Sequence, residues 1–194
     1  MPLFKDLKIG NTTFLVKVGD ITKQSTEVLV NAANSALQGG GGVDGAIHRA
    51  AGSSIMTELK KYKECPPGDV VITNAGELER IGVKKIFHTV GPIWRGGDLG
   101  EAQILASCYN KCLREAFLGD YKSLSFPSIS TGAYGYPIKE ASTIALNTLL
   151  DNLTVELQDV FERIDIVLFS DEDFKIYRDN LNLLLKKEEF KHLL

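Results

Sequence analysis

Short apolar blocks alternate along the chain with longer segments in which apolar residues return every third or fourth position, the two periods that separate strands from helices. Thr13–Val18, Val28–Asn31, Asp69–Thr73, Lys84–Val90, Ser123–Phe126 and Ile164–Phe169 read as strands. Between them, Val43 to about Lys61 reads as helix interrupted near Gly52, followed by helices at Glu101–Leu118, from Ile138 to about Leu157, and at Glu172–Lys187. Strands this short and apolar, bounded by helices, need cover on both faces. The predicted class is therefore α/β, a three-layer α/β/α sandwich. The 194 residues are expected to form a single domain, 1–194, with a core from about 14 to 177. A short N-terminal extension precedes that core, and a helical tail with a solvated charged face, Lys186–Leu194, follows it without an assigned function.

Ligands of such sheets sit beyond the carboxyl ends of the strands, and the polar, glycine-rich material gathers there. Gly19-Asp20-Ile21-Thr22 follows the first predicted strand, and Phe169-Ser170-Asp171 closes the last. After Val30 come two amides, Asn31 and Asn34, then the four glycines Gly39 to Gly42 and one carboxylate, Asp44, ahead of a helix. Consecutive glycines let backbone N–H groups turn into one concavity, and the positive end of the following helix faces the same place. The loop after Phe126 offers a second set at Ser130, Thr131 and Gly132, with Pro137 suited to open a helix. Two such cradles facing each other suit a diphosphate.

Composition narrows the field. Hydrophobic residues make up 44% and charged residues 24%, as in a soluble globular chain. A net charge of -3 leaves no basic stripe to follow a nucleic-acid backbone, so no nucleic-acid partner is expected and a phosphate must be held by directed donors. The first residues lack a signal-peptide pattern and no stretch is long enough to span a bilayer, so no membrane partner and an intracellular, cytoplasmic location are expected. Cys65, Cys108 and Cys112 cannot all pair, and the last two lie one helical turn apart, which reads as core thiols. His48, His88 and His192 form no metal-ligand spacing with them, so neither a metal nor a cofactor is expected.

The segments Gly19–Thr22, Asn31–Asn34, Gly39–Gly45, Ile47–Gly52, His88–Pro92 and Ile129–Pro137, in that order, resemble the macrodomain family and within it the MacroD-type ADP-ribose hydrolase branch. The resemblance runs from about Phe14 to Tyr177. It implies a mixed, mostly parallel sheet of about six strands and a cleft for ADP-ribose. The implied chemistry is hydrolysis of an ester at the distal ribose: removal of mono-ADP-ribose from acidic side chains of ADP-ribosylated proteins, and deacetylation of O-acetyl-ADP-ribose. A monomer is expected. Two other functions stay open, a reader that binds ADP-ribose without cleaving it and a phosphatase acting on ADP-ribose 1″-phosphate. The presence of both Asn34 and Asp44 favours the hydrolase, and neither the nucleophile nor the metal set of a dedicated phosphatase stands out.

Carried over residue by residue, the resemblance gives the adenine amino group to Asp20, the ring edge to the backbone of Ile21, and the ring face to Phe169. From the residues alone, Asp20 reads as a turn cap and Phe169 as core. The diphosphate would lie between the backbone of Gly40, Gly41, Gly42 and Val43 and the loop Ser130, Thr131, Gly132, Ala133 and Tyr134, with Tyr134 closing over the distal ribose or standing as a surface aromatic. Asn34 would hold a distal-ribose hydroxyl; its local alternative is a side-chain-stabilised turn, for which Asn31 is the better candidate. Asp44 and Asn34 are the implied catalytic pair. Asp44 reads either as a helix N-cap or as the group that orients the hydrolytic water. A helix N-terminus stabilises the carboxylate anion and makes it a poor base, so a substrate phosphate oxygen is expected to take the proton. His48 and His88 read as structural, and Thr73–Arg80 departs from the usual family pattern at what reads as a sheet edge. The extra Cys and His ligands of the family's zinc-binding branch do not occur near the first ligand loop.

Overall fold

The apolar blocks pair into one seven-stranded sheet in the computed structural model, which describes residues 6–193. The strands are β1 (Leu7–Ile9), β2 (Thr12–Val18), β3 (Val28–Ala32), β4 (Val70–Asn74), β5 (Lys85–Thr89), β6 (Ser123–Phe126) and β7 (Arg163–Leu168), in the spatial order β1-β2-β7-β6-β3-β5-β4. The five inner strands run parallel, and β1 and β4 lie antiparallel at the two edges. Five helices cover the faces: α1 (Gly42–Ala51), α2 (Ser54–Leu59), α3 (Glu101–Leu118), α4 (Ile138–Asp151) and α5 (Asp171–Leu184).

Alternation along the strands divides the interior in two. Val28, Val30, Phe87, Ile164 and Ile166 join Leu105, Cys108, Cys112, Leu146, Leu149 and Phe174 of α3, α4 and α5. Leu29, Ile86 and Val167 face Ile47 and Ile55 of α1 and α2. Both faces of the inner strands are thus buried, as a parallel sheet requires. Cys108 and Cys112 are core thiols on one face of α3, and burial pushes both pKa values up.

The sheet has one strand more than the pattern suggests. Residues read as an extension form β1, with Leu7 and Ile9 buried around exposed Lys8 and a turn at Gly10 and Asn11 leading back to β2. Three residues are too few for alternation to stand out. Helix α4 stops at Asp151, and a wider π-type turn, Asn152–Glu156, takes up the rest of the predicted helix. The C-terminal tail also differs from a solvated helix: Leu185 and Phe190 are buried in the larger core, while Lys186 to Glu189 between them are exposed. Among the described residues, no helix is long and apolar enough to cross a membrane.

With five parallel strands, every inner carboxyl end opens on one rim. The loops after β2, β7, β6, β3 and β5 follow one another along it in that spatial order.

Candidate active site

The loops after β3 and β6 face each other across a cleft of about 320 Å³, lined by Asn34, Gly40, Gly41, Gly42, Val43, Asp44, Gly91, Ser128, Ser130, Gly132, Ala133 and Tyr134. On the β3 side, the chain enters α1 through Gly41, and Gly42 takes a positive φ of 56° that favours glycine. A Cβ on Gly45 would stand 2.4 Å from the Gly40 carbonyl oxygen, so the glycine loop folds onto the first turn of α1 only because Gly45 has no side chain. On the β6 side, Ser130 is a non-glycine residue at φ 67°. Bonds from Tyr136 N to Ser130 O and from Gly135 N to Gly132 O, both 2.9 Å, close the loop. Two buried tyrosines support it from beneath: the Tyr177 hydroxyl lies 2.9 Å from Ser128 Oγ, and Tyr109 Oη accepts from Ile129 N at 3.4 Å. Burial pushes the Tyr177 pKa up to about 12, so its proton stays available for this contact. Ser130 Oγ is buried without a partner among the described residues. Backbone strain and an unpaired hydroxyl in one residue are costs typical of a ligand site.

The three buried acidic side chains are held in different ways. Asp165 is neutralised by Lys17 at 2.6 Å and Arg163 at 2.8 Å. Glu101 accepts from the backbone N–H groups of Arg95, Gly97 and Leu99 at 3.1, 3.2 and 2.7 Å. Asp44 has no cation of this kind: its Oδ1 accepts from Asn31 Nδ2 at 2.7 Å and lies 3.3 Å from His48 Nε2. Its Oδ2 has no hydrogen bond among the described residues and points toward Gly40, 3.2 Å from where a Cβ there would stand. Asn34 Nδ2 lies 3.8 Å from the same point, so the two share one corner of the cleft. Asp44 is the third residue of α1 and makes no capping bond, which corrects the N-cap reading. Burial, and then the Asp44 charge, raise the pKa of Tyr134, which lines the same cleft.

The turn expected of Asn31 is made by Asn34 instead. Asn34 makes the turn, donating from Nδ2 to Gly39 O at 2.8 Å and accepting at Oδ1 from Gln38 N at 3.3 Å, with one amide N–H left over. Asn31 is fully buried and makes no turn; it holds Asp44 and lies 3.1 Å from His88 Nδ1. Neither this link nor its continuation from His88 Nε2 to Thr73 Oγ1, at 3.0 Å, carries a sequence motif that could have announced it. Burial, reinforced by His48, drives the His88 pKa down to about 3, so the ring is neutral. An unfolded histidine titrates near 6.5, so below that pH the unfolded chain binds the extra proton and stability falls as pH drops toward 3. Between pH 7 and pH 5 the wild type should lose about 2 kcal/mol more than His88→Gln in urea denaturation. Equal losses in the two proteins would contradict a neutral buried His88.

Farther along the rim, Asp20 caps the turn Ile21–Lys23, accepting at Oδ1 from Thr22 N at 2.9 Å and from Thr22 Oγ1 at 2.6 Å. The Thr22 hydroxyl thereby holds the Asp20 pKa down. Among the described residues Oδ2 has only Lys23 Nζ, at 3.8 Å, so capping leaves an oxygen for a ligand amine. Gly19 N donates to Leu168 O at 2.8 Å, which sets this turn beside Phe169. Phe169 is 92% exposed, so it is not core. Asp20, Ile21 and Phe169 lie outside the enclosed cleft, at the open ends of β2 and β7. Thr131 also does not line the cleft; its hydroxyl donates to Ser128 O at 3.1 Å. An open aromatic at a strand end fits base stacking. Phe169→Ala should leave stability within about 0.5 kcal/mol. If the rim takes ADP-ribose as the resemblance implies, the substitution should weaken its binding by about 1–2 kcal/mol while sparing ribose 5-phosphate, in paired calorimetric titrations. Equal losses for both ligands would place the aromatic elsewhere.

A wider groove of about 880 Å³ runs between α3 and the end of α4, past Lys111, Arg114, Phe117 and Val155. It lies away from the strand ends and receives no unpaired buried polar atom. No three His, Cys, Asp or Glu side chains among the described residues converge as metal ligands.

Comparison with known proteins agrees with this geometry. The Macro domain family matches residues 30–145. The O-acetyl-ADP-ribose deacetylase of Enterobacter cloacae is 49% identical over 164 residues, 82% of this chain and 88% of that protein. The O-acetyl-ADP-ribose deacetylase of Klebsiella pneumoniae is likewise 49% identical, over 84% of this chain and 93% of its own. Among solved structures, the Oceanobacillus iheyensis macrodomain with ADP superposes with a TM-score of 0.89 at 42% identity, covering 96% of this chain and 99% of that one. The Trypanosoma brucei macrodomain in complex with ADP-ribose gives 0.78 at 32% identity, over 86% and 68%. Rim order, paired cradles and sequence likeness over four-fifths of the chain coincide, and the chain belongs to the Macro domain family.

Proposed function

We propose that the protein binds ADP-ribose along the strand ends and hydrolyses esters at its distal ribose, deacetylating O-acetyl-ADP-ribose and releasing mono-ADP-ribose from acidic side chains of proteins. The observation that carries this reading is Asp44, a buried carboxylate with Oδ1 fixed by Asn31 and Oδ2 left free beside Asn34. The names of relatives 49% identical to the chain support the deacetylase part of it. Adenine lies at the β2 and β7 ends, with its amino group toward Asp20 and its face on Phe169. The diphosphate lies between the backbone of Gly40–Val43 and the loop of Ser130, Thr131, Gly132, Ala133 and Tyr134. The distal ribose reaches the corner of Asn34, Asp44 and Tyr134.

Water adds to the ester carbonyl carbon, the bond from that carbon to the ribose oxygen breaks, and the products are a carboxylic acid and a free ribose hydroxyl. Asp44 Oδ2 accepts a hydrogen bond from the attacking water and fixes its direction of approach, a positioning effect. The carboxylate stands in the first turn of α1, near the positive end of that helix. A substrate phosphate oxygen takes the proton from the water and returns it to the departing ribose oxygen, which leaves as the hydroxyl. The remaining Asn34 amide N–H holds a ribose hydroxyl. Both substrates present the same ribose ester, so one arrangement serves both.

A reader module would need the cradles and the adenine end alone; a buried carboxylate with one oxygen held in reserve favours the hydrolase. Incubation of the wild-type protein with a glutamate-ADP-ribosylated protein, followed by mass spectrometry, should give free ADP-ribose and restored glutamate. Retention of the intact modification on a bound complex would support the reader instead.

A further inference from the structure

The geometry points to Thr73 and His88 as positioning residues for Asp44, acting through the orientation of the Asn31 amide. Thr73 Oγ1 has one hydrogen, and it donates to Asn74 O at 2.9 Å. Its 3.0 Å contact with His88 Nε2 can then only be one in which the hydroxyl accepts, so the neutral ring carries its proton on Nε2. His88 Nδ1 is left as a lone pair. The Asn31 atom 3.1 Å away must therefore be the amide nitrogen, and that same Nδ2 donates to Asp44 Oδ1 at 2.7 Å. Three choices that are free in isolation, a hydroxyl rotor, a histidine tautomer and an amide orientation, are here held in one consistent set between the Asn74 carbonyl at one end and the Asp44 carboxylate at the other.

The chain of contacts crosses the sheet from β4 through β5 and β3 to the first turn of α1, with His88 and Asn31 as cross-strand neighbours. Thr73 is 1% exposed, and Asn31 and His88 are fully buried, so no bulk water competes for these bonds. Asn31 Oδ1 is buried without a partner among the described residues. Turning the amide over would aim an oxygen at the Asp44 carboxylate. The observed orientation leaves the Asn31 carbonyl unpaired while its nitrogen serves the carboxylate. Loss of the Thr73 hydroxyl removes the acceptor that holds the ring proton on Nε2, and so loosens the amide that donates to Asp44 Oδ1. The consequence for turnover, though not that for the tautomer, rests on the hydrolase reading.

The test compares wild type, Thr73→Val and Thr73→Ser as full-length protein. Nitrogen-15 spectra of the histidines report the tautomer, calorimetry reports ADP-ribose binding, and acetate release from O-acetyl-ADP-ribose reports turnover. Wild type should show the Nε2–H tautomer at His88, and an Nδ1–H signal there overturns the proposal whether or not any variant folds. Thr73→Val should lose the pure Nε2–H signature and shift the Asn31 side-chain amide. Its kcat should drop about tenfold or more, with KM and ADP-ribose affinity within about twofold of wild type. Thr73→Ser should match wild type in every readout. A valine variant that keeps both tautomer and rate, or a serine variant as impaired as valine, overturns the proposal. Should wild type release no acetate, the hydrolase reading fails by itself, and the tautomer and amide signals still decide the chain of contacts.

Discussion

Asp44→Ala should bind ADP-ribose at least as tightly as wild type and hydrolyse O-acetyl-ADP-ribose about 100-fold more slowly or worse, a loss of about 2.7 kcal/mol of transition-state stabilisation. The two effects should separate because, in the proposed mechanism, the carboxylate meets the attacking water, whereas the cradles assigned to the diphosphate are built from backbone groups of other residues. Removing a negative charge beside an anionic ligand relieves repulsion, so affinity should rise if it changes at all. The variant also leaves Asn31 Nδ2 without its acceptor at 2.7 Å, and about 1–3 kcal/mol of stability should be lost with it. Rates measured well below the melting temperature, with binding on the same preparation, distinguish lost chemistry from lost fold. Parallel losses of affinity and rate would show that Asp44 acts in binding.

Gly45→Ala should damage binding without touching any group assigned to the ligand. Its Cβ would stand 2.4 Å from Gly40 O, and that oxygen belongs to backbone that cannot swing aside as a side chain can. Either α1 or the glycine loop must shift, at about 1–3 kcal/mol for an overpacked contact. Because the shift falls on the Gly40–Val43 cradle, ADP-ribose affinity should fall about tenfold or more. Gly41→Ala is the control for stability, since its φ of -94° suits any residue and nothing lies within 4 Å of the added carbon. Calorimetry and thermal melts of the two variants should show Gly45→Ala alone destabilised. Equal melting temperatures would mean that the α1 turn yields without cost.

Much of this arrangement was legible in the chain because its signals are local. Glu101–Leu118 is bracketed by Gly100 and Gly119, and the helix fills the space between them. The break near Gly52 separates α1 from α2 as the pattern implied. The glycine run, the Ser130–Tyr134 loop and the Asp20 turn all follow strands whose parallel pairing brings them to one rim. What escaped the sequence depends on contacts between distant residues. β1 is too short to carry a period, and Phe190 sits behind four charged residues that mask its burial. Asn31 and Asn34 are chemically alike, and only the facing of β3 decides that Asn31 turns to Asp44 while Asn34 stays in its own turn. Thr73 looked like an edge residue, and it is one; its reach to His88 comes from strand register, which the sequence does not display.

The most direct test of the account is single-turnover acetate release from O-acetyl-ADP-ribose by the wild-type protein, with enzyme in excess over substrate. A single exponential that runs to completion and leaves equimolar acetate and ADP-ribose is the predicted result. Saturable binding of ADP-ribose by the same sample, with the ester left intact, would contradict it and make the cleft a reader's.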